Sequence, residues 1–131
     1  MQVSPAVKKY RRVADIILTQ SMLVKEYKGA FNRFKGTNLF NDKEINYMAG
    51  VYGNLFNKSL ESLDELLMVI TANKLRMSDD ERLAAIDRIF ADMEDKLLFL
   101  RNFNRSTNIL SMQRGKEFID TKLSKQLYNI H

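Results

Sequence analysis

The stretch from Ser78 to about Asn129 constrains the fold of this chain more than any other. Its first residues, Ser78-Asp79-Asp80-Glu81, are typical of a helix start: the hydroxyl can accept from the Glu81 backbone N–H, and the Glu81 carboxylate can reach back. No Pro follows, and the next apolar residues recur at three- and four-residue spacing: Leu83, Ile86, Phe90, Met93, Leu97 and Leu100. We therefore predict one very long helix here.

Two shorter helices are predicted before it. Ser4-Pro5 places a hydroxyl at a cap and Pro at the first helical position, while Gly36 can end the helix in a left-handed conformation. Asn41-Asp42-Lys43-Glu44 forms a capping box for the second helix. The short connection from Asn73 to Met77 makes antiparallel neighbours.

The sequence thus predicts an all-α fold, an elongated three-helix up-down-up bundle with a long third helix. Residues 1–131 form a single helical domain, with helix one at about 4–35, helix two at about 41–74 and helix three at about 78–129. At about 1.5 Å per residue, helix three outruns its partners by about five turns.

Seven-residue repeats predict the buried faces. The seam of helix one is Tyr10, Val13, Ile17, Val24, Tyr27, Phe31 and Phe34, widened by Ile16, Leu23 and Ala30. The stripe of helix two is Ile45, Met48, Tyr52, Leu55, Leu63, Leu66 and Ile70, broadened by Phe56, Leu60 and Leu67. We interpret Gly50 and Gly53, inside helix two, as positions that an aromatic side chain of helix one approaches closely.

Residues 102–108 are polar where the stripe of helix three should continue, and an amphipathic pattern resumes beyond them. If residues 109–127 extend past the other helices, they expose a candidate interface: Ile109, Leu110, Phe118, Leu123 and Leu127. A partner helix or a second copy of the chain would cover it. The alternative is a kink near 102–108 that folds the tail back onto its own bundle.

Composition argues against enzymatic chemistry. The chain has no Cys, and its single His is the last residue, His131, which excludes a histidine general base, a triad or a di-iron site. We interpret the acidic clusters, Glu61/Asp64/Glu65 and Asp92/Glu94/Asp95, as solvated helix faces. No catalytic residue, metal ligand or cofactor site is predicted, and the longest apolar run is far too short for a membrane span.

The net charge of +5 hides a segregation along the chain. Residues 1–40 carry eight Lys and Arg against two Asp and Glu, residues 41–100 seven against twelve, and residues 101–131 six against two. Neighbouring helices of opposite charge would attract each other, which is the simpler interpretation. Alternatively, the basic ends bind a polyanion, with a candidate basic patch on helix one at Lys8, Lys9, Arg11 and Arg12.

Several short segments carry a family resemblance. The more specific ones are Met77-Ser78-Asp79, Phe103-Asn104, Gln113-Arg114 and Leu127-Tyr128, and others include Tyr10-Arg11-Arg12-Val13, Glu26-Tyr27-Lys28, Ile45-Asn46-Tyr47-Met48 and Leu63-Asp64-Glu65-Leu66-Leu67. Through these segments nearly the whole chain resembles the C-terminal helical region of the TraI-type transfer proteins of Bacteroides conjugative transposons, the small helical protein rather than the relaxase.

The resemblance implies a non-enzymatic component of a conjugative, type IV secretion-like apparatus, distantly similar to TrbJ-type proteins, with no cofactor. Its partners would be other proteins of that apparatus or a second copy of itself. Such proteins carry an N-terminal leader and further helical sequence, which implies a periplasmic or cell-envelope location if the chain is preceded by one, and a cytoplasmic location otherwise. The alternative from another class is a cytosolic helical protein that binds nucleic acid through its basic N- and C-terminal segments.

Overall fold

A computed structural model describes residues 4–71 and 76–129 of the chain. They form three helices: α1 at Pro5–Gly36, α2 at Asp42–Ile70 and α3 at Asp79–Asn129. No strand occurs in these two ranges, so the predicted all-α fold is confirmed. None of the three helices contains a stretch long and apolar enough to span a membrane.

Side-chain caps begin the helices where the sequence predicts them. Ser4 Oγ accepts a hydrogen bond from Val7 N at 3.3 Å. Asn41 and Glu44 form the full capping box, with each side chain accepting from the other residue's backbone N–H. Ser78 Oγ accepts from the Glu81 N–H at 3.1 Å, and the Glu81 carboxylate reaches back to accept from the same hydroxyl.

The helix ends follow the sequence less closely. Gly36 does not adopt the predicted left-handed conformation, because it is the last residue of α1; the residue with positive φ, at 58°, is Asn38 in the following turn. Helix two ends at Ile70, where Thr71 leaves the helical conformation, four residues before the predicted end. The predicted end at Lys74 and the start of the predicted connection at Asn73 lie outside the described residues.

Contacts between helices establish the up-down-up order. Arg12 of α1 pairs with Asp87 of α3, and Glu26 of α1 pairs with Arg101 of α3; both pairs are 75 residues apart, so these helices run parallel in constant register. α2 runs the other way, since Glu65 near its end pairs with Arg88 early in α3, and Glu44 near its start pairs with Arg114.

The core consists of two clusters along the bundle, and the buried face of α1 differs from the prediction. Tyr10 and Ile17, which the sequence places on the seam, are 71% and 51% exposed. The residues predicted only to widen the seam are the buried ones: Ile16, Leu23 and Ala30, together with Phe34. Because α1 packs on both neighbours, its buried face is rotated toward α3 relative to the predicted seam.

The buried residues of α2 alternate in steps of four and three: Met48, Tyr52, Leu55, Ser59, Ser62, Leu66 and Val69. The broadening predicted from Leu60 and Leu67 is wrong, since both are exposed, and Ile70 is also exposed. Ser59 and Ser62 take the seam positions instead, and each hydroxyl donates to a carbonyl of the preceding helical turn.

The polar segment 102–108 stays against the bundle through Phe103, Asn104 and Thr107, while its other four residues are exposed. α3 continues through it as an uninterrupted α-helix, so the predicted alternative of a kinked tail that folds back is wrong. Asn104 is half-buried and accepts from the Tyr52 hydroxyl, while Thr107 is buried and donates to the Phe103 carbonyl. The Asn104 bond connects α3 to α2, and Thr107 can be buried because its hydroxyl is satisfied within its own helix.

The interpretation of Gly50 and Gly53 as close-approach sites is also wrong. A methyl group added at either position would meet no described atom within 4 Å. Tyr27 of α1 packs on Tyr52 and Phe56 of α2 instead. The two glycines therefore lie beside open space, not where another helix approaches α2 closely.

Candidate protein-interaction surface

Arg114 is the last residue of α3 whose side chain forms hydrogen bonds with the rest of the bundle. Its guanidinium donates to both carboxylate oxygens of Glu44, at 2.8 and 2.7 Å, and to the Leu39 carbonyl at 3.2 Å. With the backbone N–H of Asn41, Arg114 lowers the pKa of Glu44 from 4.5 to about 2. The connection between α1 and α2 is thus fixed against α3 at this level.

Beyond this anchor every residue of α3, from Lys116 to Asn129, is exposed. We call these residues the overhang; they amount to about four helical turns, or roughly 21 Å. The overhang begins later than residue 109, where the sequence placed it. The reason is that the turn between α1 and α2 covers α3 as far as Gly115, which lies against Leu39.

All five predicted interface residues are exposed: Ile109 by 51%, Leu110 by 38%, Phe118 by 61%, Leu123 by 52% and Leu127 by 66%. They do not share one face. At about 3.6 residues per turn, Ile109 and Leu127 are five turns apart and lie on the same side, whereas Phe118 is midway between them and lies on the opposite side.

Two residues that the predicted interface did not include complete the face that points away from the bundle. Met112 is 73% exposed and Ile119 57% exposed, and both lie within about 80° of Ile109 around the helix. We call this face the outer stripe: Ile109, Met112, Ile119, Leu123 and Leu127. Helical angles, rather than a count of apolar residues, would have identified it from the sequence.

Leu110 belongs to a second apolar surface, the groove between α2 and α3. One part of this groove, about 380 Å³, is lined by Leu110, Phe40, Met48 and Phe103. The other, about 640 Å³, is lined among others by Tyr47, Gly50, Val51 and Phe99, and Tyr47 borders both parts. The absence of a side chain at Gly50 helps to open it, and the sequence analysis did not predict it.

Within the described residues, one of the four residues of the candidate basic patch, Arg12, is held in ion pairs with carboxylates. Arg12 binds Asp87 at 3.0 Å and Asp15 at 3.6 Å, and its guanidinium lies 4.4 Å from the centre of the Phe90 ring. Lys8 and Arg11 share a shallow pocket with the same two carboxylates, and Lys9 borders a pocket with Asp79. Exposed lysines and arginines that face carboxylates make a weak site for a polyanion.

One residue of each acidic cluster forms an ion pair within the bundle. Arg88 of α3 pairs with Glu65 of α2 and with Asp92 one turn along its own helix. Among residues 4–71 and 76–129, no group of three or more His, Asp or Glu side chains is arranged to hold a metal ion. His131 lies outside the described residues.

Comparison of the chain with known proteins gives no further guidance to its function. No protein-family model, no curated protein and no solved structure matches it. The resemblance to the TraI-type transfer proteins therefore stays a prediction, and the geometry of the exposed surfaces carries the functional argument.

Proposed function

We propose that this chain is a non-enzymatic assembly subunit that binds other proteins through the end of α3. The observation that carries the proposal is the outer stripe, which places five apolar side chains on a helix that its own bundle leaves exposed. An apolar surface of this length is rarely left uncovered in a folded protein, and a helix with one apolar face is a common recognition element.

The anchoring of α3 supports this role. Arg114 is held by three hydrogen bonds to Glu44 and Leu39, so the overhang leaves the bundle from a fixed point. A helix that is ordered before it binds loses less conformational entropy on binding than a disordered segment. The bundle would thus present the outer stripe in a defined direction.

The resemblance to the TraI-type proteins supplies the setting we propose, a conjugative, type IV secretion-like transfer apparatus. In that setting the chain would contribute contacts between subunits rather than chemistry. The alternative, a cytosolic protein that binds nucleic acid through basic ends, is less well supported by the geometry. Arg12, Arg101 and Arg114, which belong to those ends, pair with carboxylates of neighbouring helices.

Complementation of a gene deletion tests both parts of the proposal. We expect deletion to abolish transfer of the conjugative element that carries the gene, and the unaltered chain to restore it. Leu123→Asp should fail to restore transfer, because a charge in the outer stripe opposes burial against a partner. Leu123 is half exposed in the overhang, so this variant should keep the helix content and the melting temperature of the unaltered chain.

Phe118→Asp is the matched control. It also replaces a half-exposed apolar residue of the overhang by a carboxylate, but on the opposite side of the helix. Normal transfer with Phe118→Asp and failure with Leu123→Asp would support the outer stripe as the contact surface. Equal behaviour of the two variants would contradict it, and normal transfer after the deletion would contradict a role in conjugation.

A further inference from the structure

We propose that the partner of the outer stripe is a second copy of this chain, paired antiparallel through residues 109–127. This inference rests on the proposed function, since it identifies what the exposed helix binds. Ile109, Met112, Lys116, Ile119 and Leu123 follow one another in alternating steps of three and four residues. That spacing is the seam of a two-stranded coiled coil.

The seam is complementary to itself when one copy is reversed. With the two-fold axis between residues 117 and 118, Met112 of each copy faces Leu123 of the other, and Ile109 faces the turn that contains Leu127. A symmetric dimer requires such self-complementarity, because residue i must meet j while j meets i. Both apolar pairs therefore form twice.

Charge selects the antiparallel orientation. In the reversed alignment, Lys116 of one copy lies opposite Ile119 and Asp120 of the other, so its ammonium group can reach a carboxylate. A parallel alignment would instead set Lys116 against Lys116 and Arg105 against Arg105, since both residues lie on the outer side of α3. Polar residues at seam positions are known to fix the orientation of coiled coils.

The described structure leaves these groups available. Neither Lys116 nor Asp120 takes part in an ion pair within the described residues. The outer stripe faces away from α1 and α2, so a second helix can lie along it without contact with the bundle of the first copy. The paired length is about 27 Å, which makes a small interface and a dimer whose population depends on concentration.

Cysteine cross-linking tests the register, because the natural chain contains no Cys. We would oxidise Met112→Cys alone, Leu123→Cys alone and an equal mixture of the two. In the antiparallel dimer, residue 112 of one copy is adjacent to residue 123 of the other. Residue 123 of one copy is about 16 Å from residue 123 of the other, too far for a disulfide. We expect a cross-linked dimer in the mixture and none in either variant alone.

Charge exchange at Lys116 and Asp120 provides a second test, read by sedimentation equilibrium of the unmodified chain and its variants. The unmodified chain should shift from 15.3 kDa toward twice that mass as concentration rises. Lys116→Asp and Asp120→Lys should each weaken the dimer by about tenfold, and the double variant should restore it, because like charges meet only in the single variants. Lys125→Asp changes charge equally on the opposite face and should have no effect.

Three results would overturn the second-copy proposal: a monomer at all concentrations, cross-linking of each single variant on its own as strong as that of the mixture, or a double exchange no better than the single ones. A monomer whose Leu123→Asp variant still fails to restore transfer would mean that the stripe binds a different protein, and the proposed function would stand. A dimer with normal transfer in that variant would support the pairing and contradict the function.

Discussion

The Tyr52 hydroxyl donates a 2.6 Å hydrogen bond to Oδ1 of Asn104, across the contact between α2 and α3. Tyr52 is buried, and its ring packs against Tyr27, Phe31 and Phe103, with ring centres 5.4 to 5.7 Å away. Burial raises the pKa of Tyr52 to about 12, so its phenol stays a neutral donor at physiological pH. This bond joins the buried phenol to a half-buried amide at the edge of the aromatic cluster.

We expect Tyr52→Phe to lower the free energy of unfolding by about 1 kcal/mol, because it removes the hydrogen bond that the buried phenol donates to the half-buried Asn104. Urea denaturation would measure the change. Tyr47→Phe is the control: Tyr47 is 67% exposed, and loss of its hydroxyl should change the stability by less than about 0.5 kcal/mol. Equal denaturation midpoints for the two variants would show that Asn104 finds water instead.

The same bond explains why the apolar stripe of the sequence has a gap at residues 102–108. Asn104 and Thr107 are polar, and a pattern of apolar spacing cannot show that a distant tyrosine supplies a donor. Ser59 and Ser62 present the same difficulty in α2, because their hydroxyls bond to their own helix and can then be buried. Helix starts are easier to predict, since Ser4, Asn41 and Ser78 each act on residues three positions away.

The candidate surface was predicted only in part for a related reason. Exposure of Leu123 and Leu127 follows from the length of α3, which local sequence signals reveal. The level at which the overhang begins depends on Arg114 reaching Glu44, 70 residues away in the chain. The buried face of α1 depends likewise on its two neighbours, which is why Tyr10 was assigned to the core.

The cap at the start of α3 gives a second stability prediction. Ser78→Ala removes the acceptor of the Glu81 N–H and should lower the free energy of unfolding by about 1 kcal/mol. Ser78→Thr retains a hydroxyl at the same place and should lose much less. Thermal or urea unfolding of the three proteins would decide it, and a Ser78→Ala midpoint equal to that of the unaltered chain would mean that the cap contributes nothing.

The glycines of α2 give a prediction in the opposite direction. Gly50→Ala and Gly53→Ala should each raise the free energy of unfolding by up to about 1 kcal/mol, because Ala is the better helix former and its methyl group meets no described atom. Ala49→Gly, at an exposed neighbouring position, makes the reverse change and should lower stability by a similar amount. Destabilisation by Gly50→Ala would show that the α2–α3 groove closes more tightly than in the structure.

The ion pair between Glu44 and Arg114 makes the stability depend on pH. The pKa of Glu44 is lowered to about 2 in the folded chain, from an ordinary value of 4.5, first by its hydrogen bonds with Arg114 and then by the Asn41 N–H. Between these two values the unfolded chain binds more protons at this site than the folded chain. The contribution of the pair is therefore present above pH 4.5 and is lost as the pH falls toward 2.

We expect the unaltered chain to lose more stability than Glu44→Gln when urea denaturation is repeated at falling pH between 4.5 and 2. The other carboxyl groups titrate in both proteins, so the difference between the two curves isolates Glu44. The curves should lie furthest apart above pH 4.5 and converge toward pH 2, because protonation of Glu44 removes the charge that Gln lacks at every pH. Curves that stay parallel throughout this range would show that Arg114 stabilises the carboxylate no better than water does.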